Sequence, residues 1–137
     1  GLIEHLGTTD DVRPHIANAH CIVLPSYREG APRTLIEGAA MARPLIATDV
    51  PGCRSIVDPD ETGYLCNVKS GASLAEACLR FLDLPYAEKI AMGAAGRRKM
   101  ERQFDERIIV DSYFAALGKI VPGNPEIFAT TQQKPVC

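Results

Sequence analysis

Glu29 and Glu37 are separated by seven residues, Gly30-Ala31-Pro32-Arg33-Thr34-Leu35-Ile36, which begin as a Gly- and Pro-containing loop and then turn helical. Carboxylates accept hydrogen bonds from hydroxyl groups, and a helix N-terminus, with its unpaired N–H groups, favours an anion. The stretch Ser26–Glu37 therefore offers partners for hydroxyls beside partners for phosphates, the two things a sugar nucleotide needs. Local sequence leaves plainer readings open. By composition alone Glu29 reads first as a solvated loop carboxylate, open to pairing with Arg28 or Arg33. Thr34-x-x-Glu37 matches a capping box, in which Glu37 would satisfy a helix-end N–H.

The elements that must position these groups follow from the apolar pattern. Leu2–Leu6 reads as a short strand, Asp10 or Asp11 as the cap of a helix to Ala19, and Cys21–Leu24 as a continuous apolar strand of the kind covered on both faces. A helix from Arg33 to Met41 presents a thin surface at Gly38-Ala39-Ala40-Met41-Ala42, and Pro44 leads into the strand Leu45-Ile46-Ala47. Arg54–Asp58 reads as a short helical segment before a turn at Gly63 and a brief strand at Tyr64-Leu65-Cys66.

From Ser73 the period becomes helical, with Leu74, Ala75, Cys78, Leu79 and Leu82 on one face. Tyr86–Gln103 forms the next helix, with Gly93 and Gly96 as weak points. Asp105 caps a last helix carrying the stripe Ile108, Ile109, Tyr113 and Leu117. Alternating strands and helices predict an open, Rossmann-like parallel sheet with helices on both faces, and such sheets bind ligands beyond the C-terminal ends of their strands. The loops Ser26–Pro32 and Asp49–Arg54 both lie at such ends and can line one crevice.

Composition narrows the function classes. The 137 residues suffice for one ordinary core, taken as residues 1–121, with 122–137 read as a disordered tail. Fifteen Lys and Arg against 17 Asp and Glu argue against nucleic acid as a partner, and Arg97-Arg98-Lys99 reads as a solvated helix face. Cys21, Cys53, Cys66, Cys78 and Cys137 are odd in number and lack metal-type spacing, which favours a reducing compartment over a disulfide framework. No apolar run is long enough to cross a bilayer. His5, His15 and His20 stand apart from other metal-type ligands. Asp58-x-Asp60 falls at a turn, and no G-x-G-x-x-G opens any helix, which disfavours a dinucleotide oxidoreductase. The lack of an initiator Met suggests a piece of a longer protein.

Glu29-Gly30-x-Pro32, Glu29-x7-Glu37 and the later Pro44-Leu45-Ile46-Ala47-Thr48-Asp49-Val50-Pro51-Gly52 together resemble the donor-binding C-terminal domain of a retaining glycosyltransferase of family 4, with the GT-B fold. The similarity runs from about Leu2 to Ile120, in the family's order of elements. It implies a cytoplasmic hexosyltransferase, acting at the inner face of the cell membrane where its full-length form associates peripherally. The substrate would be a nucleotide-diphosphate sugar, UDP-linked, and the acceptor a glycan or lipid-linked glycan held by an N-terminal domain absent from this sequence. The resemblance implies cell-surface polysaccharide biosynthesis, with no metal and no cofactor.

It also implies roles. Glu29 would meet the transferred sugar as the catalytic-site carboxylate, and Glu37 the ribose hydroxyls. Gly30, Ala31, Pro32 and Arg33 would face the sugar through their backbone, and Thr34 and Leu35 would present N–H groups to the diphosphate. Two departures stand out. Family members often carry a Glu where this chain has Arg54-Ser55, and the basic pair that meets the diphosphate belongs to earlier elements absent here. The alternatives are a non-catalytic sugar-nucleotide-binding module, or another GT-B enzyme such as a sugar-nucleotide epimerase.

Overall fold

The apolar runs and the helices between them form a three-stranded parallel sheet in a computed structural model that describes residues 2–120. In chain order the elements are α1 (Arg13–Asn18), β1 (Ile22–Leu24), α2 (Arg33–Ala40), β2 (Leu45–Thr48), α3 (Pro51–Arg54), β3 (Gly63–Cys66), α4 (Gly71–Asp83), α5 (Tyr86–Gln103) and α6 (Glu106–Ile120). The strand order is β1-β2-β3, with Ile22 opposite Leu45 and Leu45 opposite Gly63. Every residue of the central strand β2 is buried, as its uninterrupted apolar sequence requires in a sheet covered on both sides.

Alternation along β2 assigns the two faces. Leu45 points to the α2 side, where Gly38 lets the helix lie against Leu45 and Ile22; an added Cβ at Gly38 would stand 2.7 Å from Ile22 Cγ1. Ile46 points the other way, into a cluster with Tyr64, Cys66, Ala77, Phe81 and Met92 contributed by β3, α4 and α5. The thin surface at Gly38-Ala39 is thus a packing device. Gly93 is one too, rather than a weak point: a Cβ there would lie 2.1 Å from the Ala42 carbonyl oxygen, so α5 approaches the turn before β2 backbone to backbone.

The 58–63 turn is fixed by its polar groups. Thr62 is buried, its hydroxyl accepts the Asp58 N–H at 2.9 Å, and Asp60 takes a left-handed φ of 65°, which Asp tolerates better than most residues. Asp58 accepts from the buried Lys99 ammonium at 2.8 Å. Asp60 pairs with Arg80 at 2.6 Å, whose guanidinium also lies 4.3 Å from the centre of the Tyr64 ring. Both aspartates of Asp58-x-Asp60 are therefore committed to tying helices α4 and α5 to this turn.

Four expectations are corrected. Leu2–Leu6 forms no strand; no described strand offers it a ladder, and Leu2, Ile3 and Leu6 are exposed. The first helix spans Arg13–Asn18 with Val12 at its backbone N-cap, a residue later than expected. Asp11 still serves as the side-chain cap, accepting the Arg13 N–H and pairing with its guanidinium. The segment expected at Arg54–Asp58 is helical earlier, over Pro51–Arg54, with Pro51 in the first-turn position that suits a residue lacking an N–H. On α4 the buried residues are Ala77 and Phe81, with Leu74 and Cys78 packed against the cluster, whereas Leu79 and Leu82 are exposed.

The first compact unit ends at Arg102, and α6 belongs to the second, which begins at Gln103. Asp105 starts α6 as expected, accepting the Arg107 N–H at 2.9 Å. The stripe Ile108, Ile109, Tyr113 and Leu117 is exposed. The expected tail 122–137, with Cys137, lies outside the described residues.

Candidate functional site

The loop after β1 is held by the end of β2. Thr48 is buried, and its hydroxyl donates to the Ser26 carbonyl, with the Leu24 carbonyl 3.4 Å away. Ser26 in turn donates to the Arg28 carbonyl at 3.3 Å. From the other side the Pro51-Gly52 turn packs directly on the loop backbone: a Cβ at Gly52 would lie 2.5 Å from both the Glu29 and Gly30 carbonyl oxygens. The two loops expected to line one crevice are therefore in contact.

Cys53, fully buried beneath them, registers the same proximity. Burial pushes its thiol pKa up, and the Glu29 and Asp49 carboxylates push it further. Arg54 folds back to pair with Asp49, and Ser55 donates to the Gly52 carbonyl at 2.8 Å. The residues that depart from the resembled pattern thus close the loop on itself.

The start of α2 is anchored by buried Pro32 and Leu35, whereas Gly30, Ala31, Arg33 and Thr34 are exposed. The Leu35 and Ile36 N–H groups both return to the Pro32 carbonyl, at 3.0 and 3.2 Å. That leaves the N–H groups of Arg33 and Thr34 without an acceptor among the described residues, at the end of the helix where an anion is stabilised. A Cβ at Gly30 would meet nothing within 4 Å, so open space lies against the loop here.

Glu37 does not cap this helix. Pro32 holds the N-cap position with no side-chain bond, and Glu37 instead faces Arg33 one turn back, at 3.3 Å. The capping-box reading of Thr34-x-x-Glu37 is excluded. So is the pairing of Glu29 with Arg33, whose guanidinium goes to Glu37. Glu29 is half-buried, not a fully solvated loop charge. Of the predicted residues, Leu35 is corrected: its N–H is taken by the Pro32 carbonyl and is not offered to a diphosphate. Its side chain serves the core, while Pro32 serves the helix start. Glu29, Gly30, Ala31, Arg33, Thr34 and Glu37 remain at least partly accessible around one loop and helix end.

A second feature at the strand ends was not anticipated. On the α4 face of the sheet, a cleft of about 300 Å³ is lined by residues that include Tyr27, Thr48, Cys66, Asn67, Lys69 and Ser70. Neither Glu29 nor Glu37 lines it. Its signal in the sequence is the position of Asn67-x-Lys69-Ser70 immediately after β3, a third strand end to which the same topological rule applies.

Comparison with known proteins fits this architecture. A family model described as Glycosyl transferases group 1 matches residues 1–83, more than half of the 137-residue chain. The chain belongs to that family. This group 1 chain is similar to N,N'-diacetylbacillosaminyl-diphospho-undecaprenol alpha-1,3-N-acetylgalactosaminyltransferase of Campylobacter jejuni, with 26% identity over 122 residues, 88% of the chain and 32% of the relative. Among solved structures it resembles sucrose-phosphate synthase from Thermosynechococcus elongatus, with a TM-score of 0.74 and 29% identity over 80% of this chain and 27% of the synthase. It also shares the fold of Anabaena HepE in complex with UDP, with a TM-score of 0.73 and 18% identity over 83% of this chain and 31% of HepE. The group 1 chain thus spans about a third or less of each of these proteins.

Proposed function

We propose that this chain is the donor-binding part of a retaining glycosyltransferase that moves a hexosyl unit from a UDP-linked sugar to a glycan or lipid-linked acceptor in cell-surface polysaccharide biosynthesis. The observation that carries the reading is the juxtaposition at the start of α2. Two accessible carboxylates, Glu29 and Glu37, flank two N–H groups that have no acceptor among the described residues, with open space over Gly30. Glu29 accepts hydrogen bonds from hydroxyls of the transferred sugar and orients its anomeric carbon. Glu37 exchanges its exposed contact with Arg33 for the ribose hydroxyls. The N–H groups of Arg33 and Thr34 meet the diphosphate and stabilise the charge that builds on it as the glycosidic bond breaks, an electrostatic contribution worth most where it is preorganised.

Membership of the glycosyl transferases group 1 family favours transfer over a non-catalytic binding module or an epimerase. The Campylobacter relative's name specifies a diphospho-undecaprenol acceptor, which supports a lipid-linked acceptor here and a place at the inner face of the membrane. Among the described residues no helix is long and apolar enough to cross a membrane. The diphosphate is met by protein donors, with no metal required.

The test is product analysis of the complete protein with UDP-glucose and UDP-N-acetylglucosamine and a lipid-linked glycan acceptor. The reading predicts UDP release coupled to a new glycosidic bond of the donor's own anomeric configuration, undiminished by EDTA. Residues 1–137 alone should transfer nothing, because the positioning of donor against acceptor is lost. Epimerised sugar nucleotide without a new glycoside, or donor binding without transfer, would select one of the alternatives.

A further inference from the structure

The cleft on the α4 face has a chemistry that the donor site does not use. Tyr27 is 67% exposed beside it, and the Lys69 ammonium stands 5.7 Å from the centre of its ring. Lys69 reaches this place from a left-handed backbone conformation, φ 59°, which Gly or Asn would adopt with less strain. Neither the Tyr27 hydroxyl, the Asn67 carboxamide nor the Lys69 ammonium has a hydrogen-bond or ion-pair partner within the protein among the described residues. Pro25 and Leu74 supply apolar surface, and among the described residues no carboxylate lines the cleft.

These groups together ask for a ligand with an apolar face, a polar rim and a negative charge. A pyranose carries C–H groups on one face and hydroxyls around its edge, and a hexuronate adds a carboxylate. At about 300 Å³ the cleft is at the small end of ligand sites, which suits one sugar unit and not a complete sugar nucleotide. We propose that this cleft is a subsite for an acidic sugar unit, a hexuronate, of the glycan that the enzyme elongates. Tyr27 packs against the apolar face, Asn67 offers both donor and acceptor to hydroxyls, and Lys69 pairs with the carboxylate. The proposal rests on the glycosyltransferase reading for the origin of its ligand, but on separate residues for its binding.

The test is saturation-transfer NMR on the complete protein with methyl β-D-glucopyranosiduronate and methyl β-D-glucopyranoside, each in the presence of excess UDP. The glucuronide should bind with UDP present and more tightly than the glucoside. Tyr27→Ala and Lys69→Ala should each weaken glucuronide binding about tenfold, and Lys69→Ala should abolish the preference for the acidic sugar. Both side chains lie at the surface, so thermal melts should show folded variants. Glucuronide binding that is absent, displaced by UDP, or unchanged in both variants would overturn the assignment. Glucuronide binding in a protein that fails to bind UDP would retain this subsite while removing the donor reading.

Discussion

Gly52 sits so close to Glu29 that a Cβ on it would lie 2.5 Å from the Glu29 carbonyl oxygen. The loop after β2 thereby supports the backbone carrying the carboxylate proposed to meet the sugar. Gly52→Ala must separate two backbones, which are not the flexible end of a side chain, and should cost about 1–3 kcal/mol in chemical denaturation. It should also reduce turnover of the complete protein, because displacement of a positioning group is felt at the reacting centre.

Gly30→Ala makes the opposite prediction. Nothing lies within 4 Å of the added methyl, so the change in stability should stay within about 0.5 kcal/mol. The open space over Gly30 is proposed to hold the donor sugar, so UDP-sugar binding should weaken while UDP binding persists. Calorimetric titration of both ligands into the folded variant separates the two effects; unchanged affinity for the UDP-sugar would place the sugar elsewhere.

Thr48 connects the core to the same loop through its hydroxyl bond to the Ser26 carbonyl. Thr48→Val keeps the shape and removes the donor from a buried position. It should cost about 1–3 kcal/mol, read as a lower denaturation midpoint at unchanged m-value. A neutral result would show that this bond does not hold the loop.

The ionisable groups give pH dependences of opposite sign. Burial, with Cys78 nearby, raises the Cys21 pKa from 9.0 to about 12, so the folded protein holds a proton that the unfolded chain releases. Its contribution to stability is full below pH 9.0 and is lost as pH rises towards about 12. Cys21, Cys53 and Cys66 should accordingly react slowly with iodoacetamide at mildly alkaline pH and quickly once unfolded, as mass spectrometry can follow. Asp105, held by the Arg107 side chain and N–H, falls from 3.8 to about 2. Its contribution is present above pH 3.8 and lost as pH falls through about 2, which a carboxyl NMR titration would register.

Much of this was legible because strand and helix periods differ so strongly. The Pro44–Thr48 stretch is the buried parallel strand its apolar run requires, and the α5 span agrees end to end. The run before Pro25 forms a parallel strand too, but at the edge of the described sheet with Val23 exposed, so the expectation that it is covered on both faces is corrected. On α4 the sequence carries two overlapping apolar arcs, and periodicity alone cannot tell which meets the sheet. Ala77 and Phe81 are buried while Leu79 and Leu82 face outward. Leu2–Leu6 has the composition of a strand, but a strand exists only with a ladder partner, which composition does not supply. At the site, the carboxylates and loop were legible from Glu29-x7-Glu37. The contact made by Gly52, the commitment of Glu37 to Arg33, and the cleft by Tyr27 arise from spatial proximity across strand ends.

The most direct test of the donor-site account is calorimetric titration of UDP into the complete protein and its Glu29→Ala and Glu37→Ala variants, with thermal melts alongside. Glu37 caps no N–H, and its exposed pair with Arg33 is worth at most about 0.5 kcal/mol, so both variants should melt close to the parent. The account predicts that Glu37→Ala weakens UDP binding about tenfold to a hundredfold, whereas Glu29→Ala leaves UDP affinity nearly unchanged and lowers turnover. Parent-like UDP affinity in Glu37→Ala would contradict it.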